Sequence, residues 1–314
     1  MYTIKQASAL SGVGIPLLRA WERRYQVVEP SRSASGYRLY GEDEIDRLRA
    51  MRALISDGWA PQQAAQRIRA SSASEVAALA GPRNEAASPP LGGAMPSSGP
   101  SPAGDLIDRL VAAARFIDAD GLEAALDDAF AGARFETVAD SIVLPAMREI
   151  GRGWERDEVS VAGEHVASQA VLRRLAMAYE AAGDGDGTRP VLVGLGPGAH
   201  HEFGALAFAT AARRVGLPAV YVGPDLPVGS WGSAVGEREA RAAIIGVPRS
   251  ADAQRTVDVI AAIRNVRPRT LVAVGGSAAQ RVARRIEVLV LPDGMAAAAE
   301  TLRSALNEAE RPVV

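Results

Sequence analysis

The sequence predicts a multidomain chain: a winged helix-turn-helix head, a four-helix bundle, and a doubly wound α/β domain. Three observations predict it. Residues 1–70 are basic and helix-rich, and then give way to a stretch filled with Pro, Ser, Gly and Ala. Apolar residues next recur every three or four positions as far as Glu180. Beyond "GDGDGT" short β-rich runs alternate with helical stretches, which implies a parallel sheet. The expected segments are a head at 1–70, a flexible linker at 71–104, a helical bundle at 105–182 and an α/β domain at 183–314.

In the head, "YTIKQASALSGVGIPLLRAWERRY" reads as two helices about a tight turn. Ile4, Ala7 and Leu10 space the first, "SGVG" supplies the turn, and Pro16 falls in the first turn of the second, where a missing N–H is tolerated. The second helix carries Arg19, Arg23 and Arg24, with Leu18 and Trp21 available for packing. Arginine suits phosphates and the guanine edge. Two short extended runs about Ser35–Gly36 then form a hairpin wing carrying Arg32, Tyr37, Arg38 and Tyr40. Glu42, Asp43 and Glu44 open a further helix, as its dipole favours. Residues 1–70 hold one Lys and ten Arg against seven acids, a net +4 in a chain of net −2, so the remainder carries −6. A basic head on an acidic body suits a polyanion.

Residues 71–104 hold six prolines and no aromatic residue, too little apolar surface for a core. Leu106, Leu110, Val111 and Ala114, then Leu122, Leu126 and Phe130, mark amphipathic helices of the bundle. In the last segment "PVLVGLG", "AVYVG", "AAIIGV", "LVAVGG" and "EVLVLP" are the strand candidates. Helical stretches lie at 203–215, 253–263 and from Met295. Cysteine is absent, which excludes disulfides and thiolate chemistry and fits a cytoplasmic location. No signal peptide or membrane-spanning run is read.

The head motifs, taken with "SGYRLYGEDEIDRL", resemble those of MerR-family transcription regulators. That resemblance implies dimeric binding of double-stranded promoter DNA through Arg19, Arg23, Arg24, Arg32, Tyr37 and Arg38. In that family a long coiled coil often follows the head; here a tether follows, so the homo-oligomer (dimer or tetramer) must form elsewhere.

All three histidines, His165, His200 and His201, lie beyond the tether. "HEFG", directly after the first strand, resembles the His-x-x-Gly of cobalamin-binding domains of flavodoxin-like fold. His201 is then the cobalt axial ligand, and Gly204 lets the flat corrin approach. "WERDEVSVAGEH" places Trp154, nine intervening residues, then Glu164 and His165. This resembles the capping bundle of CarH-type light-sensing repressors, where it covers adenosylcobalamin. Plain alternatives are Trp154 as a core residue and Glu164–His165 as a solvated helix pair. Gly275 and Gly276, in "VAVGG", are placed by the same resemblance beside the nucleotide tail of the cofactor.

Three positions depart from the resembled pattern. Ala199 stands where an acid usually supports the ligand histidine, Pro248 where a serine ends the third strand, and Glu155 where a histidine follows the capping tryptophan. The resemblance implies a non-enzymatic, adenosylcobalamin-dependent and light-responsive repressor, without membrane attachment. The departures motivate an alternative: a MerR-like regulator whose last module binds another tetrapyrrole or serves as an oligomerisation platform. Two enzyme readings compete less well. "GLGPGA" fits a dinucleotide fingerprint, but Asp225 lies beyond the place of its acid. A methyltransferase or mutase carrier has no need of the head.

Overall fold

The computed structural model describes residues 1–32, 38–57, 59–80, 102–185, 187 and 189–309. It divides into two compact units, Met1–Arg134 with Ala146–Ala170, and Phe135–Pro145 with Val171–Val314.

The head begins with β1 (Tyr2–Thr3), α1 (Ile4–Ser11) and α2 (Ile15–Tyr25). Thr3 caps α1: its hydroxyl accepts the Gln6 N–H while the Gln6 side chain accepts the Thr3 N–H at 2.9 Å. Gly12 ends α1 at φ +68°, and a side chain there would run into Arg52. Leu18 and Trp21 are buried as expected. Leu10 is not: α1 turns it to solvent and buries Ala7 and Ser11 instead, the Ser11 hydroxyl donating to the Ala7 carbonyl at 2.6 Å. The wing pairs β2 (Ser31–Arg32) antiparallel with β3 (Arg38–Tyr40), and β1 adds to the far side of β3, Tyr2 opposite Tyr40. Next come α3 (Glu42–Ser56), α4 (Pro61–Ala70) and α5 (Ala73–Ala80).

Helix α5 corrects the expected tether, whose first part is folded. Ser72 and Glu75 form a reciprocal cap, the Glu75 carboxylate accepting the Ser72 N–H at 2.8 Å. Val76 is buried, and α5 packs along α3. No proline interrupts the chain until Pro82. Residues 102–104, the last of the expected linker, are also folded, as the start of the helix Pro102–Arg115; residues 81–101 lie outside the described residues.

The bundle helices are α6 (Pro102–Arg115), α7 (Ala119–Gly132), a run from α8 (Phe135–Val138) through a π-helical turn (Ala139–Val143) into α9 (Leu144–Glu155), and α10 (Val161–Ala181). Leu110, Ala114, Leu122, Leu126 and Phe130 are buried, as their spacing predicts, while Leu106 and Val111 are only half-buried. Asp118 caps α7 on the Gly121 N–H at 2.9 Å.

The second unit carries five parallel strands: β4 (Val191–Leu195), β5 (Ala219–Gly223), β6 (Ala242–Gly246), β7 (Leu271–Gly275) and β8 (Leu289–Val290). Helices α11 (Phe203–Arg214), α12 (Val228–Glu237), α13 (Ala253–Val266), α14 (Ala279–Ala283) and α15 (Met295–Ala309) alternate with them. The spatial order is β5-β4-β6-β7-β8, the flavodoxin-like order, with its switch point between β4 and β6. The run "EVLVLP" contributes only the two paired residues of β8. All five residues of β4 are buried, as a central strand covered on both faces requires.

Trp231 on α12 lies fully buried against this sheet, its indole N–H donating to the Leu195 carbonyl at 3.3 Å. Trp231→Ala removes that bond and leaves a large cavity. We expect a loss of about 3–5 kcal/mol, read as a lowered urea midpoint with an unchanged slope.

Candidate functional site

Two surfaces of the chain carry chemistry. The first is the outer face of α2. Arg19, Arg23 and Arg24 are all exposed there, and Arg23 and Arg24 make no ion pair among the described residues. Their charge is therefore not neutralised within the protein. Arg38 behaves differently: its Nε donates to Glu22 Oε1 at 2.8 Å, and the Tyr40 hydroxyl donates to Glu22 Oε2 at 3.2 Å. One carboxylate on α2 thus holds two residues of the wing. Burial and the Glu22 charge push the Tyr40 phenol up to about 12, so it remains a donor at working pH. Tyr37 lies outside the described residues, as does the side chain of Arg32; the backbone of Arg32 pairs with Arg38 in the wing.

The second surface lies where β4 and β6 end. From Leu195 the chain runs through Gly196, Pro197 and Gly198 (φ +72°) to buried Ala199, and then exposes His200 and His201. Glu202 is the N-cap residue of α11. Three loops are latched together here. The Gly198 N–H donates to Asp225 Oδ1 at 2.6 Å, and the Asp225 N–H donates to the Ala199 carbonyl at 3.0 Å. Arg249, after β6, donates to the Gly198 carbonyl at 3.4 Å. Asp225, held at φ +53°, is thus a strut of the loop rather than a ribose acceptor. Sequence reasoning missed this role, because the pairing joins residues 27 positions apart.

Neither His200 nor His201 hydrogen-bonds to any described residue. Gly204 sits in the first turn of α11, at an ordinary φ, with nothing within 4 Å of where a side chain would begin. Glycine weakens a helix, and packing within the chain does not demand it here. A free imidazole followed one turn later by a bare backbone suits a flat macrocycle whose metal needs one further ligand. Among the described residues no group of three or more His, Cys, Asp or Glu could hold an ion unaided. The departure at Ala199 is real: its buried methyl offers no acceptor for the second imidazole nitrogen.

Of Gly275 and Gly276, only the second is demanded by the fold. Gly276 is at φ +98°, and a side chain on it would press on the Val247 backbone at 3.0–3.4 Å. There the Val247 N–H donates to the Gly275 carbonyl and Val247 accepts the Ala278 N–H. Pro248, the second departure, accepts the Ser277 hydroxyl on its carbonyl at 2.7 Å.

In the other unit Trp154 ends α9 at 49% exposure. It is not a core residue. Glu164 and His165 open α10, where His165 Nδ1 lies 2.9 Å from Glu164 Oε2 and Ser168 donates to Glu164 Oε1 at 2.6 Å. Both remain accessible, so the pair is solvated and preformed at once. Gly163 just before them is required by packing, because a side chain would overlap the Ala114 carbonyl of α6.

Residues 2–71 match the MerR HTH family regulatory protein family, and residues 106–179 match the B12 binding domain family. The second match includes Trp154, Glu164 and His165. The chain is 31% identical over 293 residues to the HTH-type transcriptional repressor CarH of Myxococcus xanthus, covering 92% of this chain and 94% of that protein. It is 27% identical to the HTH-type transcriptional repressor CarA of the same organism, over 71% of this chain and 68% of that one. The Methanosarcina barkeri monomethylamine corrinoid protein shares the fold of 64% of this chain and 96% of its own, at a TM-score of 0.53 and 14% identity. No helix among the described residues is long and apolar enough to cross a membrane.

Proposed function

Since the chain belongs to the family of HTH-type transcriptional repressors that includes CarH, we propose that it represses a promoter under the control of adenosylcobalamin and light. Its parts are a MerR-type DNA-binding head and a cobalamin-binding module. The observation that carries the reading is the unpartnered imidazole of His201 beside the open backbone of Gly204.

Adenosylcobalamin, when bound, supplies a light-labile cobalt–carbon bond. The chain supplies the rest. His201 offers a ring nitrogen to cobalt. Trp154 offers an exposed apolar face to the adenosyl group, and Glu164 and His165 offer an acceptor and a donor to its ribose or base. Gly275 and Gly276, bare of side chains at the end of β7, leave room for the nucleotide tail. In the head, Arg19, Arg23 and Arg24 meet the duplex from α2, while Arg32, Tyr37 and Arg38 meet it from the wing. Assembly into a dimer or tetramer in the dark joins several tethered heads, and the gain in avidity holds the promoter. The chain acts in the cytoplasm, as a regulator and not as an enzyme.

The test is direct. The full chain is loaded with adenosylcobalamin in the dark and its absorption, size and promoter affinity are measured before and after illumination. We expect a cobalamin spectrum that changes with light, a smaller assembly and weaker DNA binding. The missing carboxylate at Ala199 favours one other reading, a module that has given up cobalamin and serves as an oligomerisation platform or holds another tetrapyrrole. A colourless protein that assembles and binds DNA in light and dark alike would establish the platform, and a visible spectrum other than that of a cobalamin would establish the other tetrapyrrole.

A further inference from the structure

The missing acid at Ala199 leaves a question that the structure answers from three residues further along. A ligating imidazole needs an acceptor for its second nitrogen; the Ala199 side chain provides none, and its carbonyl already accepts the Asp225 N–H. Glu202 is the residue directly after His201, at the N-cap of α11. Its Oε2 accepts the Tyr221 hydroxyl at 2.5 Å. Its Oε1 makes no hydrogen bond with any described residue. A free acceptor thus stands next in the chain to an imidazole whose two nitrogens are free.

Neighbouring Glu and His side chains can pair in this way. Glu164 and His165, also adjacent and also at a helix start, lie 2.9 Å apart in this same protein.

Tyr221 is itself firmly held. It lies on β5, whose Tyr221 N–H donates to the Tyr179 hydroxyl at 2.9 Å, while that hydroxyl donates to the Ala219 carbonyl at 3.1 Å. The Arg213 guanidinium stacks 3.7 Å over the Tyr179 ring and donates to the Ala219 carbonyl at 2.8 Å. Burial and Glu202 hold the Tyr221 phenol well above its ordinary range, so it stays protonated and keeps donating. The carboxylate is therefore pinned by one oxygen to the sheet and left open at the other.

We propose that Glu202 is the positioning residue for the His201 imidazole, anchored by Tyr221, and that it supplies from the helix start the acceptor this chain lacks at position 199. The inference rests on His201 being the cobalt ligand. Both Glu202→Ala and Tyr221→Phe then disturb the imidazole without touching the metal. Glu202→Gln retains a carbonyl acceptor and preserves most of the function.

The experiment uses the full chain titrated with adenosylcobalamin in the dark. Visible absorption distinguishes nitrogen-coordinated from uncoordinated cobalt, and thermal melting of the unloaded variants reports their folding. Glu202→Ala is expected to weaken uptake about 10–100-fold and to shift the bound spectrum toward that of His201→Ala. Tyr221→Phe is expected to shift it in the same direction by less, and Glu202→Gln to restore most of the wild-type spectrum. Glu202→Ala with the wild-type spectrum and affinity overturns the proposal, as does a folded Glu202→Gln no better than alanine. If His201→Ala itself leaves the spectrum unchanged, the ligand assignment has failed, and this inference with it. If His201→Ala changes the spectrum and Glu202→Ala does not, only this inference has failed.

Discussion

His201→Ala is expected to abolish nitrogen coordination of cobalt by the protein and to lower cobalamin affinity by about 100-fold or more. Loss of a partner behind a ligand typically costs about 10–100-fold, so loss of the ligand itself costs at least the upper end. The fold is expected to survive, because the His201 ring is exposed and hydrogen-bonds to nothing among the described residues. His200→Ala is the matched control: an exposed neighbour with the same lack of partners, expected to leave the spectrum as it was. Absorption of the loaded variants in the dark decides between them. A wild-type spectrum from His201→Ala, or its loss in His200→Ala alone, would reverse the assignment.

The second large effect is expected in the head. Arg23→Ala combined with Arg24→Ala removes two exposed guanidinium groups that make no ion pair among the described residues. An arginine that reads a base edge costs about 1–3 kcal/mol when it is removed, and one that grips a phosphate lowers the salt slope by about one. Promoter affinity measured across a salt series separates the two. Cobalamin uptake is expected to be unaffected. Arg38→Ala reads out differently, because Arg38 is bound to Glu22 at 2.8 Å. Its removal weakens any grip on DNA and loosens the wing together, so Arg23 and Arg24 are the cleaner probes. Equal affinity and equal salt slope in the double variant would remove α2 from the interface.

What the sequence made legible follows from which signals are local. Helix α2 was readable because Pro16, the buried Leu18 and Trp21 and the exposed arginines all obey one helical period. The parallel sheet was readable because apolar runs such as "VLVGL" alternate with helices. His201 and Gly204 stand out only through the resemblance of "HEFG" to His-x-x-Gly. Other features depend on residues far apart in the chain. Strand β1 is two residues long and exists only because Tyr40 lies opposite Tyr2. Asp140, in the π-helical turn, accepts the Met295 N–H at 2.8 Å and so starts α15, a pairing across 155 positions. The Asp225 strut and the Tyr179–Tyr221–Glu202 chain are of the same kind. Helix α5 escaped notice for a different reason: composition averaged over 71–104 hid a capped turn at its edge.

The Glu22 carboxylate, shared between Arg38 and Tyr40, has a mechanical consequence. It ties α2 to the wing, so we expect little of the misfit against an imperfect operator to be absorbed by the protein. The elastic work of fitting falls on the double helix instead. Operators for such a head are selected for pliancy as well as for letters, with easily kinked pyrimidine–purine steps favoured at places no side chain touches.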